Sequence, residues 1–600
     1  MSISSLGNTI TLFGRIADTQ KMRKPILSEP VRKPPCRITS VKQPLPRVRP
    51  EEIGLDSARI AAFLAELSQD ETLNMHSVLI LRNGKIVTEA TFGEHSLHTW
   101  KQTYSACKSI TALAVGMLVE DRMLSLDEKL TDLFDARLTP LSRITAKDLT
   151  VRHLLTMTTG ASFNEASVHS EKDWIKGYFG GSFSPGAFSY NSLNSYMLSA
   201  IVGIKTGMRL SEFLNERLFQ PLGITEYHWE CCPLGIDKGG WGLFLLPEDM
   251  AKIGLLVMQD GVWMGRQLVS RDWIREATAV QVSAEAVSKL YDYGYHIWCG
   301  REKNSFLFNG MLGQNVLGLR DSGVLLVTNA GNDEIFQSSN YFTAAERYFG
   351  ASLPDVLPQN DAAYQTLCKT VASLKEHVPR KAVPKQPLWK KLIPVKKAAP
   401  APALPGECAL LSGVRFTSDD PNAPSVSLMP LTLQVVQNNY GSGFSSVSFL
   451  ANGDTFYMTF TEAEARYLLP VGFGVSADAD LSFGGVPYHV KTLGQFLKDE
   501  DGRPLLKIRV TFTETPLTRY FKIYYTGVHP FLKAYEQPGS EFIFSRLLSL
   551  QDMFTASPLL TGAIGKIDRD FVRYRVYKAF SPEIRLQKAS EQAKVPANVP

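Results

Sequence analysis

The chain has 600 residues, 44% of them hydrophobic, and a net charge of only +5 from 64 basic and 59 acidic side chains. That length exceeds what one core supports and implies two or three domains. Residues 1–50 carry ten basic and two acidic side chains and residues 376–406 carry seven and one, so the rest is net negative, which argues against a nucleic-acid-binding face on the folded parts.

In chain order, residues 1–50 form a basic, Pro-rich arm (Lys33-Pro34-Pro35, Pro44-Leu45-Pro46), expected to be extended or disordered. Asp56 is placed to cap an amphipathic helix over Ser57 to Leu67. Two β-rich runs then flank Asn83-Gly84, a strong hairpin signal. Tyr104-Ser105-Ala106-Cys107-Lys108 opens a helix that continues through an apolar run to Val119. Met123 to Phe134 reads as a turn leading into a helix, and Leu149 to Gly160 as a short helix stopped by glycine. Residues 161–185, rich in Gly, Ser and aromatics, read as a loop walling a cleft. Helices are expected over Tyr196 to Ile204, Leu210 to Phe219 and Pro247 to Met258. Tyr293 to Trp298, Ser305 to Phe308 and Gly323 to Thr328 read as strands of one sheet, with Phe342 to Phe349 a helix packed back on it. Residues 351–407 comprise a helix around Tyr364 to Leu374 and a Pro/Lys/Ala linker. From 408 to 540 the pattern turns to short β runs, Thr432 to Val436, Thr455 to Thr459 and Leu505 to Thr513 among them, an all-β barrel or sandwich. Residues 541–600 form a C-terminal extension with helical character.

Three features carry chemistry. Ser105 and Lys108 stand at i and i+3, on one helix face. A serine hydroxyl is a weak nucleophile, and a desolvated amine beside it can take its proton. Tyr190, in Phe188-Ser189-Tyr190-Asn191-Ser192 ahead of a helix, is a candidate proton carrier. Phe308-Asn309-Gly310-Met311 lies between two predicted strands, where glycine lets backbone approach a ligand and present an N–H. A literal Lys205-Thr206-Gly207 falls where a helix C-cap belongs and is set aside. Taken singly, each has a bland reading: a capping serine with a solvated lysine, a packed aromatic, an ordinary turn.

In order and spacing these features resemble the penicillin-recognising serine hydrolases, in their class C β-lactamase-like branch, over roughly residues 50–350. Leu154 to Gly160, Pro185-Gly186, Trp241-Gly242-Leu243, Glu248 to Gly254 and Gly261 to Val269 extend the likeness. The resemblance implies an α/β (α+β) β-lactamase-like domain over 51–350, an antiparallel sheet flanked by helices plus a helical subdomain. Ser105 is then the acylated nucleophile, Lys108 the base or the partner of Tyr190, and Tyr190 the proton shuttle. The backbone N–H groups of Ser105 and Met311 make the oxyanion hole. Gly310, Asn309 and Ser192 lie on the substrate side. The chain departs at Ser192, where the family has Asn, and at Phe308, where it has Lys or His. A cation there would hold a substrate carboxylate, so a neutral ester or amide is expected rather than a β-lactam or a peptide ending in D-alanine. The β domain, through Val471 to Pro516, resembles the lipocalin-like barrels appended to some members, which cap the cleft, drive oligomerisation or bind a ligand.

The expected function is therefore a serine hydrolase acting on a small-molecule ester, amide or peptide. A catalytically silent binding protein, a D-amino-acid peptidase and a weak β-lactamase stand as alternatives. Neither cofactor nor metal is expected, for no ligand cluster is evident. Cys107 is expected to pack inward. Seven scattered cysteines without a C-x-x-C pair, no apolar run of about twenty residues and no evident signal peptide point to a cytoplasmic protein without a membrane span. A homo-oligomer is compatible with the sequence.

Overall fold

The computed structural model describes residues 32–162, 172–375, 404–418, 425–437, 439–527, 529–539 and 569–589. The first 31 residues of the basic arm, part of the 161–185 loop, the linker at 376–403 and most of the 541–600 extension lie outside them.

Helix α1 (Ser57–Gln69) starts at Asp56, whose carboxylate accepts the Ala58 N–H. Strands β1 (Met75–Arg82) and β2 (Lys85–Thr91) form the expected hairpin, with Asn83 and Gly84 both at positive φ. The chain then enters the buried helix α2 (Cys107–Glu120), passes through short helices, and runs on to α3 (Ser192–Thr206) and α4 (Pro247–Met258). Next come β3 (Tyr291–Tyr293), β4 (Trp298–Gly300), β5 (Ser305–Gly310), β6 (Gln314–Leu319) and β7 (Val324–Ala330), then α5 (Asn340–Phe349) and α6 (Asp361–Leu374). The seven strands make one sheet in the order β2-β1-β7-β6-β5-β4-β3. All the pairings are antiparallel.

Alternation along the strands builds two cores. Val78, Ile80, Leu307 and Leu326 face α1, α5 and α6. Leu79, Leu81, Phe308, Val316 and Leu325 face α2, α4 and the helical subdomain. Such a sheet is buried on both faces, as the fully buried β1, β5, β6 and β7 require. Tyr293 to Trp298 is not the single strand expected. Gly294 to Ile297 forms a turn between β3 and β4, with His296 at φ +55°.

The C-terminal region holds a nearly closed 11-stranded sheet. Its strands are β8 (Arg415–Thr417), β9 (Phe444–Asn452), β10 (Thr455–Glu462), β11 (Ala465–Phe473), β12 (Ala477–Phe483), β13 (Val486–Lys498), β14 (Pro504–Phe512), β15 (Thr518–Tyr524), β16 (Phe531–Gln537), β17 (Glu583–Arg585) and β18 (Gln587–Lys588). They run β17-β16-β15-β14-β13-β11-β10-β9-β8-β18, with β12 paired to β13. The two end strands are joined by Leu586 alone, which draws the sheet round on itself. Residues after 540 thus supply both of those strands, after a helix over Arg569–Phe580. Thr432 to Val436 is helical, not a strand: α7 (Leu431–Gln437) begins where the Glu536 carboxylate accepts the N–H groups of Leu431 and Thr432 at 2.6 and 2.9 Å. Free helix donors met by a buried carboxylate outweigh the β-branched composition.

Candidate active site

Strand residues Lys101–Gln102 lead into a 3-10 turn, Tyr104–Ala106, and that turn feeds α2. Tyr104 is left-handed at φ +46°, costly for a side chain with a Cβ. The kink leaves Ser105 half-buried at the helix start while Lys108 is 1% exposed.

The Lys108 amine lies near Ser105 Oγ at 3.0 Å, Ser192 Oγ at 3.2 Å and the Gly240 carbonyl at 2.5 Å. A neutral amine can donate to Gly240 and Ser192 and still accept the Ser105 proton. Ser192, read from sequence as a substrate contact, is buried and turns its hydroxyl to this amine. Asn191 caps α3, accepting the Leu193 N–H at 2.9 Å. Tyr190, just before it, lays its ring 5.1 Å from the amine. That ring stacks on Trp298 and meets Phe336 and Tyr293 edge-on, a fixed aromatic setting.

Strand β5 reaches the same turn. A Cβ on Gly310 would come within 2.3 Å of the Thr103 carbonyl, so only glycine lets the strand end lie there. Met311 follows at once, half-buried, with Leu312 left-handed at φ +66°. Asn309 is buried and spends its amide internally, on Asn315 at 2.8 Å and on Gln337 at 3.1 Å. Phe308 is fully buried and packs on Phe306 within the core. Lys205-Thr206-Gly207 closes α3, with Gly207 at φ +74°, away from this chemistry.

Sequence reading overlooked two supports. Gly239-Gly240 passes so close to α3 that a Cβ on Gly240 would meet Ser192 O at 2.8 Å and Lys108 Nζ at 3.2 Å. The doubled glycine before Trp241 was the available signal. His296 is buried, its Nε2 2.8 Å from Ser195 Oγ and its Nδ1 2.9 Å from the Leu155 carbonyl. Burial, then the charge of Lys108, pushes it down to about 3. Cys107 turns its thiol to the Gly239 carbonyl, and burial raises it to about 12, so it stays protonated. All seven cysteines are free. Among the described residues, no group of three His, Cys, Asp or Glu side chains could hold a metal, and no helix is long and apolar enough to cross a membrane.

The family model described as Beta-lactamase matches residues 60–344. An uncharacterized protein of Alkalihalophilus pseudofirmus is 25% identical over 251 residues, covering 37% of this chain and 69% of its own. The 6-aminohexanoate-dimer hydrolase of Paenarthrobacter ureafaciens is 26% identical over 144 residues, 22% of this chain and 36% of its own. The match thus spans little more than a third of that enzyme. Among solved structures, a putative 6-aminohexanoate-dimer hydrolase from Bacillus anthracis superposes with a TM-score of 0.42 at 16% identity, over 56% of this chain and 92% of that one.

Proposed function

We propose, from the match of residues 60–344 to the beta-lactamase family model, that this chain is a serine hydrolase that cleaves an ester or amide bond through an acyl-enzyme on Ser105. Ser105 Oγ attacks the carbonyl carbon as its proton passes to Lys108. Tyr190 carries a proton to the departing alcohol or amine as the scissile bond breaks. The oxyanion is met by the N–H groups of Ser105 and Met311, donors worth about 3 kcal/mol each at the transition state. Water then repeats the cycle in reverse roles and frees the acid.

The observation that carries this reading is the 3.0 Å approach of a buried lysine amine to the Ser105 hydroxyl. The substrate is a neutral ester or amide, because the position that would offer a cation holds Phe308, sealed in apolar core. The test is covalent labelling by a fluorophosphonate, with a screen of p-nitrophenyl esters, amides and D-amino-acid peptides and Ser105→Ala as control. Labelling that survives Ser105→Ala sinks the assignment. A wild type that is neither labelled nor active supports the silent binding protein instead.

A further inference from the structure

The barrel sheet does not merely follow the hydrolase fold in sequence. Its apolar core takes in two residues from the candidate site, Tyr104 and Leu312, with Met311 packed at the margin. Tyr104 directly precedes Ser105, and Leu312 directly follows Met311. Each of the two proposed oxyanion donors is therefore flanked by a side chain anchored in the other domain. Both anchors are left-handed, at φ +46° and +66°. Conformations of this kind are costly for residues with a Cβ and persist only where their surroundings hold them.

A second set of contacts grips the segment that delivers Ser105. The turn after β14 accepts the Gln102 N–H at the Glu514 carbonyl, 2.8 Å away, and the Lys101 amine at the Thr513 carbonyl, 2.5 Å away. The Glu514 side chain is fully buried and binds the indole N–H of Trp100 and the Lys33 amine. Trp100, Lys101, Gln102 and Tyr104 are thus each contacted from the barrel side.

A third set runs to the base. In the barrel domain, Tyr488 donates to Gln437, and Gln437 donates to Glu230 Oε1 at 3.1 Å. Glu230 Oε2 pairs with the Lys238 amine at 2.7 Å, both side chains buried. The Lys238 carbonyl accepts the Gly240 N–H at 2.6 Å, and the Gly240 carbonyl is the one that takes the Lys108 amine. Fully satisfied buried networks of this kind fix geometry, and a broken link leaves a buried polar group short of a partner.

We propose that the C-terminal barrel is a positioning element of the hydrolytic site, holding the Ser105 turn, the Met311 turn and, through Gln437 and Glu230, the carbonyl that fixes Lys108. The inference rests on the role given to Ser105 above and adds that the hydrolase fold is incomplete without the barrel. Gln437, Tyr488 and Glu514 are positioning residues, remote from the reacting atoms.

The test uses the full chain, with p-nitrophenyl acetate turnover and fluorophosphonate labelling as readouts. Gln437→Leu should lower kcat by about tenfold or more while KM moves less than about threefold, since small misplacements act on the chemical step. The pH profile of kcat should change with it. Phe531→Leu, on β16, stacked on Tyr524 and outside both the barrel core and these hydrogen bonds, gives the control for simple loss of barrel stability; it should lower the melting temperature and leave kcat alone. Should Gln437→Leu fail to fold, Tyr488→Phe removes only the hydroxyl bond to Gln437 and decides the matter by the same readouts. Wild-type kcat and pH profile in a folded Gln437→Leu or Tyr488→Phe protein would overturn the proposal while leaving Ser105 as nucleophile. Hydrolysis that persists in Ser105→Ala would instead remove the nucleophile, and the barrel's role falls with it.

Discussion

The amine of Lys108 lies 3.0 Å from the hydroxyl of Ser105, and the lysine is only 1% exposed. Burial disfavours the charged form of an amine, so this contact suits a base more than a cation. Lys108→Ala should then cut the acylation rate by about 10²- to 10⁴-fold. Lys108→Arg should fail almost as badly, because a guanidinium stays protonated and cannot accept. Burst release of p-nitrophenol measures both, with circular dichroism as the check on folding. Arginine restoring most of the rate would mean that charge alone is needed there.

Ser192 tests the departure from the family pattern. Its hydroxyl lies 3.2 Å from the Lys108 amine. Ser192→Ala removes one hydrogen bond of ordinary strength, about 0.5–1.5 kcal/mol. Turnover should fall by roughly three- to tenfold with KM little changed, as read from steady-state kinetics on one ester. A rise in KM alone would return Ser192 to the substrate side, where the sequence reading placed it.

The sequence made the hydrolase fold legible because its signals are local. Asp56 caps α1, Asn83-Gly84 turns the hairpin, and Pro247 with Glu248 and Asp249 starts α4. It also brought Ser105 and Lys108 together, since an i,i+3 pair needs no tertiary knowledge. It did not reveal what lies across space. Gly240, Glu230 and Gln437 gain their meaning from contacts spanning 132 and 207 residues. Leu431–Gln437 has the composition of a strand, yet it is a helix whose start is satisfied by Glu536, more than a hundred residues on. A literal Lys-Thr-Gly at 205–207 shows the reverse case: the letters were present, but α3 and its C-cap give them other work.

Phe308 predicts what a restored cation would do. The side chain is fully buried against Phe306 and the core that carries α2. Phe308→Lys would place an ammonium in apolar surroundings, at a cost of several kcal/mol unless it finds a partner. The melting temperature should fall by more than about 5 °C, and nitrocefin should remain a poor substrate. Efficient nitrocefin hydrolysis by the wild type would contradict the view that this site is built for neutral substrates; by the variant alone it would show that a cation at 308 can leave the core and hold a substrate carboxylate.

His296 gives the fold around the site a stability that depends on pH. Its Nδ1 faces the Leu155 carbonyl, which only accepts, so that nitrogen carries the hydrogen and Nε2 takes the Ser195 hydroxyl proton. A second proton would put a charge in a buried place already near Lys108, and its pKa is held down at about 3. Unfolded, a histidine titrates near 6.5. Between those values the unfolded chain binds a proton that the folded chain refuses. Its stabilising contribution is therefore complete above pH 6.5 and is lost as pH falls towards 3, at about 1.4 kcal/mol per pH unit. Asparagine tolerates the left-handed backbone found here at φ +55°, so His296→Asn is the apt substitution. Urea unfolding at pH 7, 6, 5.5 and 5 should show the variant's slope reduced by one proton over that window, with turnover holding further into acid. Equal slopes for wild type and variant would mean that other buried histidines, such as His76 and His95, both also pushed down by burial, govern the acid response instead.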